Sequence, residues 1–178
     1  MNQDDTKTDK NTVHSYIPEY EKLFRRLKDT AKNVLEIGIC HGGSIKLWSE
    51  YFENAQIHGL DVQDIAPFLD EGFPRVKKYI TNAYDLKILE ELSKTKFDIV
   101  IDDGPHSIES MCFFAKYYSE LLTDDGILVI EDVQDIRWCT EIINFIPNEM
   151  RTKVRIIDMR HIKGRYDDIM FVVDKSLL

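Results

Sequence analysis

Carboxylate side chains follow several predicted strands of this 178-residue chain, at the point where each strand ends. Asp102 and Asp103 come directly after one apolar, β-branched run, and Glu131 and Asp132 come directly after the next. In an open α/β sheet the ligands bind outside the carboxyl ends of the strands. We therefore expect these acids to lie close together at one edge of the fold.

Three of these acids, Asp103, Glu131 and Asp132, would repel one another strongly if they packed together without a cation. Oxygen ligands favour a hard divalent ion, magnesium or calcium, with water or substrate oxygens completing the coordination. We predict that the three residues form a magnesium site. A solvated acidic rim that only keeps the protein soluble is the alternative reading of the same residues.

His106 lies three residues after Asp103, where a helix is predicted to begin. A histidine at a helix start is often incidental, but its position beside a divalent ion would give it a chemical role. An alcohol is too weak an acid to lose its proton unaided at neutral pH. A coordinated divalent ion lowers the pKa of a hydroxyl, and an imidazole can then accept the proton. We predict that His106 is a general base.

A glycine turn follows the first predicted strand, within residues 33–44. The apolar run breaks at Gly42-Gly43-Ser44 and continues with helical spacing, which predicts a strand, a tight turn and a helix start. Backbone N–H groups and the helix dipole at such a turn favour an anionic or carboxylate-bearing ligand. Glu36 is an acid inside an otherwise apolar strand, so it must be hydrogen-bonded or functional. The first βα unit of any doubly wound fold would have a similar pattern.

Asp61 ends the second predicted strand, at about the distance from the glycine turn at which dinucleotide-binding folds place the acid that binds ribose hydroxyls. The turn from Gly38 to Gly43 does not read GxGxxG, and it lacks the glycine that lets a pyrophosphate approach closely. A nucleoside that carries an amino acid, as in S-adenosylmethionine, therefore fits better than NAD. Its ribose would bind Asp61, and its methionine carboxylate would bind the turn and Ser44. An ordinary exposed acid at a strand end is the alternative for Asp61.

Predicted strands alternate with predicted helices along the whole chain. The strands are predicted at 33–39, 56–60, 79–81, 97–101, 127–130, 154–157 and 169–173, and the helices at 16–27, 44–51, 86–93, 108–122 and 136–145. This order predicts a single α/β domain over residues 1–178, with a Rossmann-like, doubly wound, mostly parallel seven-stranded sheet and helices on both faces. Only a charged loop at 160–168 separates the last two strands, so we expect an antiparallel edge strand. We expect the polar residues 1–11 to be mobile.

Composition excludes several classes of function. A net charge of −9 argues against a broad nucleic-acid-binding surface, which would need clustered Lys and Arg. No apolar run approaches the roughly 20 residues that span a bilayer, and the first residues lack the apolar core of a signal peptide. We therefore expect a cytoplasmic protein with no membrane or nucleic-acid partner. Cys40, Cys112 and Cys139 form no CxxC pair and are expected to be free thiols.

At the level of motifs, the chain resembles the class I S-adenosylmethionine-dependent methyltransferases. Within that class it resembles the magnesium-dependent sugar O-methyltransferases of the mycinamicin VI and demethylmacrocin type. The motifs that carry the resemblance are Thr8-Asp9-Lys10 with His14 and Tyr16, Leu35-Glu36-Ile37-Gly38 with Gly42-Gly43-Ser44, Ile101-Asp102-Asp103-Gly104-Pro105-His106, and Ile130-Glu131-Asp132 with Trp138. They span nearly the whole chain, and the Asp-Asp-Gly-x-His stretch combined with Glu-Asp is the most specific part.

The resemblance implies methyl transfer from S-adenosylmethionine to a hydroxyl of a sugar or glycan precursor, with magnesium on Asp103, Glu131 and Asp132 and His106 as the base. It also implies that the methyl donor contacts Glu36, Gly38, Ser44, Asp61 and Asp102. We add Gly42, Asn82, His14 and Tyr16 to the predicted donor site, and Asp102 to the predicted catalytic residues.

Alternatives for the function stay open at this point. The acceptor could instead be another small hydroxylated molecule, phenolic or catechol-like, or the chain could be a binding module without activity. A nicotinamide-dependent oxidoreductase on the same sheet is disfavoured by the missing GxGxxG. The macrolide enzymes carry an additional N-terminal domain that shapes the acceptor site and the assembly, so the resemblance does not give the acceptor or decide whether the chain forms a homo-oligomer.

Overall fold

The computed structural model describes residues 8–177, which form a layered α/β structure around one sheet. The strands are β1 (Asn33–Ile37), β2 (Gln56–Asp61), β3 (Val76–Ile80), β4 (Phe97–Asp102), β5 (Leu122–Ile130), β6 (Val154–Asp158) and β7 (Ile169–Asp174). Their spatial order is β3-β2-β1-β4-β5-β7-β6. Residues 1–7 of the segment that is predicted to be mobile lie outside the described residues.

Strands β1 to β5 run parallel to one another, and β7 pairs antiparallel with both β5 and β6. This confirms the predicted Rossmann-like, mostly parallel seven-stranded sheet. The antiparallel strand β7 is fully buried and lies one place in from the edge, which β6 forms. The strand order reverses between β1 and β4, and the crevice at such a switch point is where doubly wound folds bind their ligands.

Helices cover both faces of the sheet, as the alternating pattern predicts. They are α1 (Ile17–Phe24), α2 (Gly43–Tyr51), α3 (Phe68–Gly72), α4 (Leu86–Leu92), α5 (Ile108–Tyr118), α6 (Trp138–Ile142) and α7 (Arg160–Lys163). Successive strand residues point to opposite faces. Val34 therefore packs in the cluster with Phe24 and Trp48, while Leu35 packs in the cluster with Phe114. No helix in residues 8–177 has the length and hydropathy needed to cross a membrane.

Two local predictions differ from the structure. The fifth strand is predicted to begin at residue 127, but β5 already includes residues 123–126, where its pairing with β4 shifts between Phe97 and Ile99. The loop at 160–168 contains one turn of helix, α7, which ends at Gly164 in the left-handed conformation that favours glycine. Neither difference moves the strand ends that carry the candidate site.

Candidate active site

The carboxyl ends of β1, β4 and β5 bring the predicted acids together. Ile37 pairs with Asp102 across β1 and β4, and the Asp103 N–H donates to the carbonyl of Ile37 at 3.1 Å just beyond the strand. The Glu131 N–H donates in the same way to the carbonyl of Asp102 at 3.0 Å. Backbone pairing thus continues past the strand ends and fixes Asp103 next to Glu131.

Asp103, His106 and Asp132 form a partly exposed cluster at this edge. Their potential ligand atoms all lie within 4.8 Å of one another. His106 Nε2 lies 3.8 Å from Asp103 Oδ1 and 3.5 Å from Asp132 Oδ2, and the three side chains are 29%, 22% and 12% exposed, respectively. The two carboxylates beside solvent suit a hard divalent ion that keeps positions open for other oxygen ligands, and the imidazole lies next to them.

Backbone strain collects at the same place. In residues 8–177 the non-glycine residues with positive φ are Cys40 at 45°, His106 at 53° and Asp132 at 53°. Such conformations are costly for residues with a Cβ, and they persist where the surrounding structure enforces them, commonly at functional sites. The fold therefore holds His106 and Asp132 in place against their local preference.

Glu131, the third predicted metal ligand, is buried and is not one of the three residues of this cluster. Its carboxylate accepts hydrogen bonds from the Lys10 ammonium and from the Tyr20 hydroxyl. Burial, together with the repulsion of neighbouring carboxylates such as Asp103, raises the pKa of Glu131. Its role as a metal ligand stays a prediction.

Lys10 is a residue of the site that sequence reasoning missed. Its Nζ lies 2.6 Å from Asp103 Oδ2 and 3.3 Å from Glu36 Oε1, and it also contacts Glu131. The side chain is 1% exposed, although Lys10 belongs to the segment that we expect to be mobile. A polar terminal segment gives no periodic signal. The clue was the excess of acids at the strand ends, which required a positive partner.

His14 and Tyr16 lie behind Asp132. The Tyr16 hydroxyl donates to Asp132 Oδ1, and His14 Nδ1 lies 2.7 Å from Asp168 Oδ1 and 3.3 Å from Asp132 Oδ1. Burial raises the pKa of Asp132, and the hydrogen bond from Tyr16 opposes that shift. Both His14 and Tyr16 are buried and neither lines the neighbouring cavity. Their predicted contact with the methyl donor stays a prediction, whereas their contacts with Asp132 are evident.

A cavity of about 690 Å³ opens next to the cluster, at the switch point of the sheet. Its walls are the glycine turn, the loops after β2 and β3, the segment from Asp103 to His106, and the chain at Thr8 and Asp9. Of the predicted donor-binding residues, those that line it are Gly38, Ser44, Asp61 and Asn82, whereas Glu36, Gly42 and Asp102 do not.

Glycine is required at two positions of the turn. Gly38 has φ +92°, and a Cβ there would collide with the carbonyl oxygen of Asp103. Gly42 has φ +79° and precedes α2, and a Cβ there would lie 2.9 Å from the ring of Phe68. Gly42 therefore shapes the turn, and the adjacent Gly43 faces the cavity.

The remaining predicted residues support the cavity walls. Asp61 accepts a hydrogen bond from the Cys40 N–H at 2.8 Å, which ties the end of β2 to the glycine turn. Ser44 donates to Glu36 at 2.6 Å, so the buried acid of β1 is hydrogen-bonded. Asp102 accepts a hydrogen bond from the Tyr84 hydroxyl.

Asp102 is buried and does not line the cavity. Burial, with the repulsion of Asp103, raises the pKa of Asp102 to about 7. Tyr84 itself lines the cavity. The predicted catalytic role of Asp102 stays a prediction.

Comparisons with known proteins find similar methyltransferases. A family model described as FtsJ-like methyltransferase matches residues 17–164. The chain is 32% identical over 141 residues to an 8-demethyl-8-alpha-L-rhamnosyl tetracenomycin-C 2'-O-methyltransferase of Streptomyces olivaceus, covering 74% of this chain and 36% of that protein. It is also 32% identical over 136 residues to a mycinamicin VI 2''-O-methyltransferase of Micromonospora griseorubida, covering 71% and 33%. The chain spans about a third of the length of these curated relatives.

Solved structures share the fold. The MycE methyltransferase from the mycinamycin biosynthetic pathway, in complex with Mg, SAH and mycinamycin VI, superposes with a TM-score of 0.69 at 22% identity. The match covers 91% of this chain and 49% of that chain. At this identity the likeness establishes the fold.

Proposed function

The chain belongs to the FtsJ-like methyltransferase family, and on that premise we propose that it transfers a methyl group from S-adenosylmethionine to a hydroxyl of a sugar or glycan precursor. The relatives named for methylation of sugar-bearing compounds support this acceptor class. The observation that carries the proposal is the cluster of Asp103, His106 and Asp132 at the mouth of a cavity that also presents Asp61 and the glycine turn.

The cavity walls suit the methyl donor. S-adenosylmethionine supplies an electrophilic methyl group on its sulfonium. Asp61 would bind the ribose hydroxyls, and the turn with Ser44 at the start of α2 would bind the methionine carboxylate through N–H groups and the helix dipole. Gly38 has no side chain, so the chain just after β1 packs closely against the Asp103 carbonyl, and both residues line the cavity in which the donor would bind. The nicotinamide alternative finds no support in the family match.

The acidic cluster suits a magnesium ion, which would supply the positive charge that acidifies the acceptor hydroxyl. Asp103 and Asp132 would hold the ion, and the hydrogen bond from Tyr16 would fix the orientation of Asp132. Glu131 could coordinate the same ion only if it gave up its hydrogen bond from Lys10 or from Tyr20.

His106 would accept the proton of the acceptor hydroxyl at Nε2, the ring nitrogen that faces both carboxylates of the cluster. A general base of this kind contributes about 10²–10⁴-fold to the rate. Much of the remaining acceleration would come from holding the hydroxyl in line with the methyl group.

The test is a methyl-transfer assay with S-adenosylmethionine and a panel of nucleotide sugars and small glycans, with phenolic and catechol acceptors as a second panel. The proposal expects transfer to at least one sugar hydroxyl and a large loss in Asp61→Ala. Transfer to catechols alone would refute the sugar acceptor. No binding of S-adenosylmethionine or of its demethylated product in calorimetry would refute methyl transfer altogether.

A further inference from the structure

Three acidic side chains at the strand ends, Glu36, Asp103 and Glu131, surround a cation, the ammonium group of Lys10. Its Nζ contacts Glu131 and lies 2.6 Å from Asp103 Oδ2 and 3.3 Å from Glu36 Oε1. Lys10, Glu36 and Glu131 are at most 1% exposed. We call the space bordered by Glu36, Asp103 and Glu131 the inner position.

A single ammonium faces three carboxyl groups at the inner position. Glu36 Oε1 is buried without a hydrogen-bond partner, at 3.3 Å from Lys10 Nζ. Three carboxyl groups around a single ammonium make this space favourable for positive charge.

Asp103 connects this space to the exposed cluster. Its Oδ2 accepts a hydrogen bond from Lys10, and its Oδ1 lies 3.8 Å from His106 Nε2. We call the space between Asp103, His106 and Asp132 the outer position. Asp103 Oδ2 thus faces the inner position, and Asp103 Oδ1 faces the outer position.

We propose that Lys10 is the resident cation of the inner position and that it positions Asp103 for a divalent ion in the outer position. The inner position follows from the contacts of Lys10 alone, whereas the outer position rests on the proposed function. In this arrangement Lys10 excludes a second divalent ion and turns Asp103 Oδ1 toward the reacting groups.

The test counts Mn²⁺ ions bound per chain, from the electron paramagnetic resonance signal of free Mn²⁺. Lys10→Ala removes the charge and empties the space, so we expect it to bind one more Mn²⁺ than the wild type. Lys10→Met fills the space without a charge, and Lys10→Arg restores the charge, so neither should gain an ion. Equal counts in Lys10→Ala and the wild type would overturn the proposal.

Stability gives a second measurement. Without a metal, Lys10→Ala leaves buried carboxylates unpaired, and its thermal midpoint should fall by roughly 6–20 °C. Mn²⁺ should recover most of that loss, and it should raise the wild-type midpoint by less. A Lys10→Ala chain that stays unfolded in saturating Mn²⁺ would overturn the proposal.

Lys163→Met is the matched control. Lys163 Nζ donates to backbone carbonyls of the segment that carries Lys10, including that of His14 at 2.6 Å. Its loss would loosen the same segment without changing the charge of the cluster, so the wild-type count is expected. A gained ion in this variant would overturn the proposal. A wild type that binds no Mn²⁺ would refute the outer position and the proposed metal dependence, while the difference made by Lys10→Ala would still test the inner one.

Discussion

Tyr16→Phe tests whether Asp132 is held in place for a metal ion. The Tyr16 oxygen donates to Asp132 Oδ1 and accepts a hydrogen bond from the Asp132 N–H at 3.3 Å. Both partners are buried, so the substitution removes two hydrogen bonds of Asp132 and leaves its Oδ1 with His14 Nδ1, 3.3 Å away, and its N–H without Tyr16. A hydrogen bond to a charged group contributes about 1.5–3 kcal/mol, which for a chain of this size corresponds to a fall in thermal midpoint of roughly 3–12 °C.

The same substitution should weaken divalent-ion binding. Loss of a hydrogen bond that orients a metal ligand typically costs about 10–100-fold in affinity. Calorimetric titration with Mn²⁺ measures that loss, and differential scanning calorimetry in a chelator measures the midpoint. If Tyr16→Phe kept both the wild-type Mn²⁺ affinity and the wild-type midpoint, the reasoning from this contact would be refuted.

Tyr20→Phe is a matched control, because its hydroxyl donates to Glu131 and is equally buried. We expect a comparable fall in midpoint but little change in Mn²⁺ affinity, since Lys10 still holds the Glu131 carboxylate. A larger loss of affinity in Tyr20→Phe than in Tyr16→Phe would instead favour Glu131 over Asp132 as a ligand.

Three further predictions concern the base, the turn and the sheet. His106→Ala should lower kcat by about 10²–10⁴-fold with Mn²⁺ affinity nearly unchanged; a lost affinity would make this residue a ligand rather than a base. Gly38→Ala should destabilise the fold and weaken S-adenosylmethionine binding in calorimetry because its Cβ collides with Asp103, whereas Gly72→Ala has open space and should be nearly neutral. Burial, aided by Lys77, lowers the pKa of His58 to about 4, so its contribution to stability should be lost as pH falls from about 6.5 to 4. Urea midpoints across that range should decline less in His58→Gln, and an equal decline would contradict this assignment.

The sequence was sufficient to predict the sheet and the proximity of Asp103, His106 and Asp132, for a simple physical reason. Parallel strands end at one edge, so residues that directly follow them, such as Asp61, Asp103 and Asp132, must come close together. His106 follows because it is near Asp103 along the chain. These inferences need only local order and the topology of a doubly wound sheet.

The contacts of the N-terminal segment could not be predicted in this way. Lys10 and His14 reach residues more than 90 positions away, and no periodic pattern encodes such pairings. Lys10 resembled a solvated terminal residue, and only the charge balance of the folded site explains its burial. Tyr16 was assigned to the donor site from a motif, and that motif gave no sign of the hydrogen bond from its hydroxyl to Asp132.

Local signals also misled where tertiary pairing outweighed them. Residues 123–126 have the composition of a turn, yet they belong to β5, whose pairing with β4 is irregular there. The helix Phe68–Gly72 is too short to give a helical period, and it was not predicted.

The central claim is that the donor cavity and the acidic cluster act together in one metal-dependent transfer. The most direct measurement is the initial rate of methyl transfer to the best sugar acceptor, after removal of divalent ions with a chelator and after addition of Mg²⁺ in excess. We expect the rate to fall to background in the chelator, to return with Mg²⁺ in the wild type, and to stay low in Asp103→Asn. An undiminished rate in the chelator, or a wild-type rate in Asp103→Asn, would contradict the account.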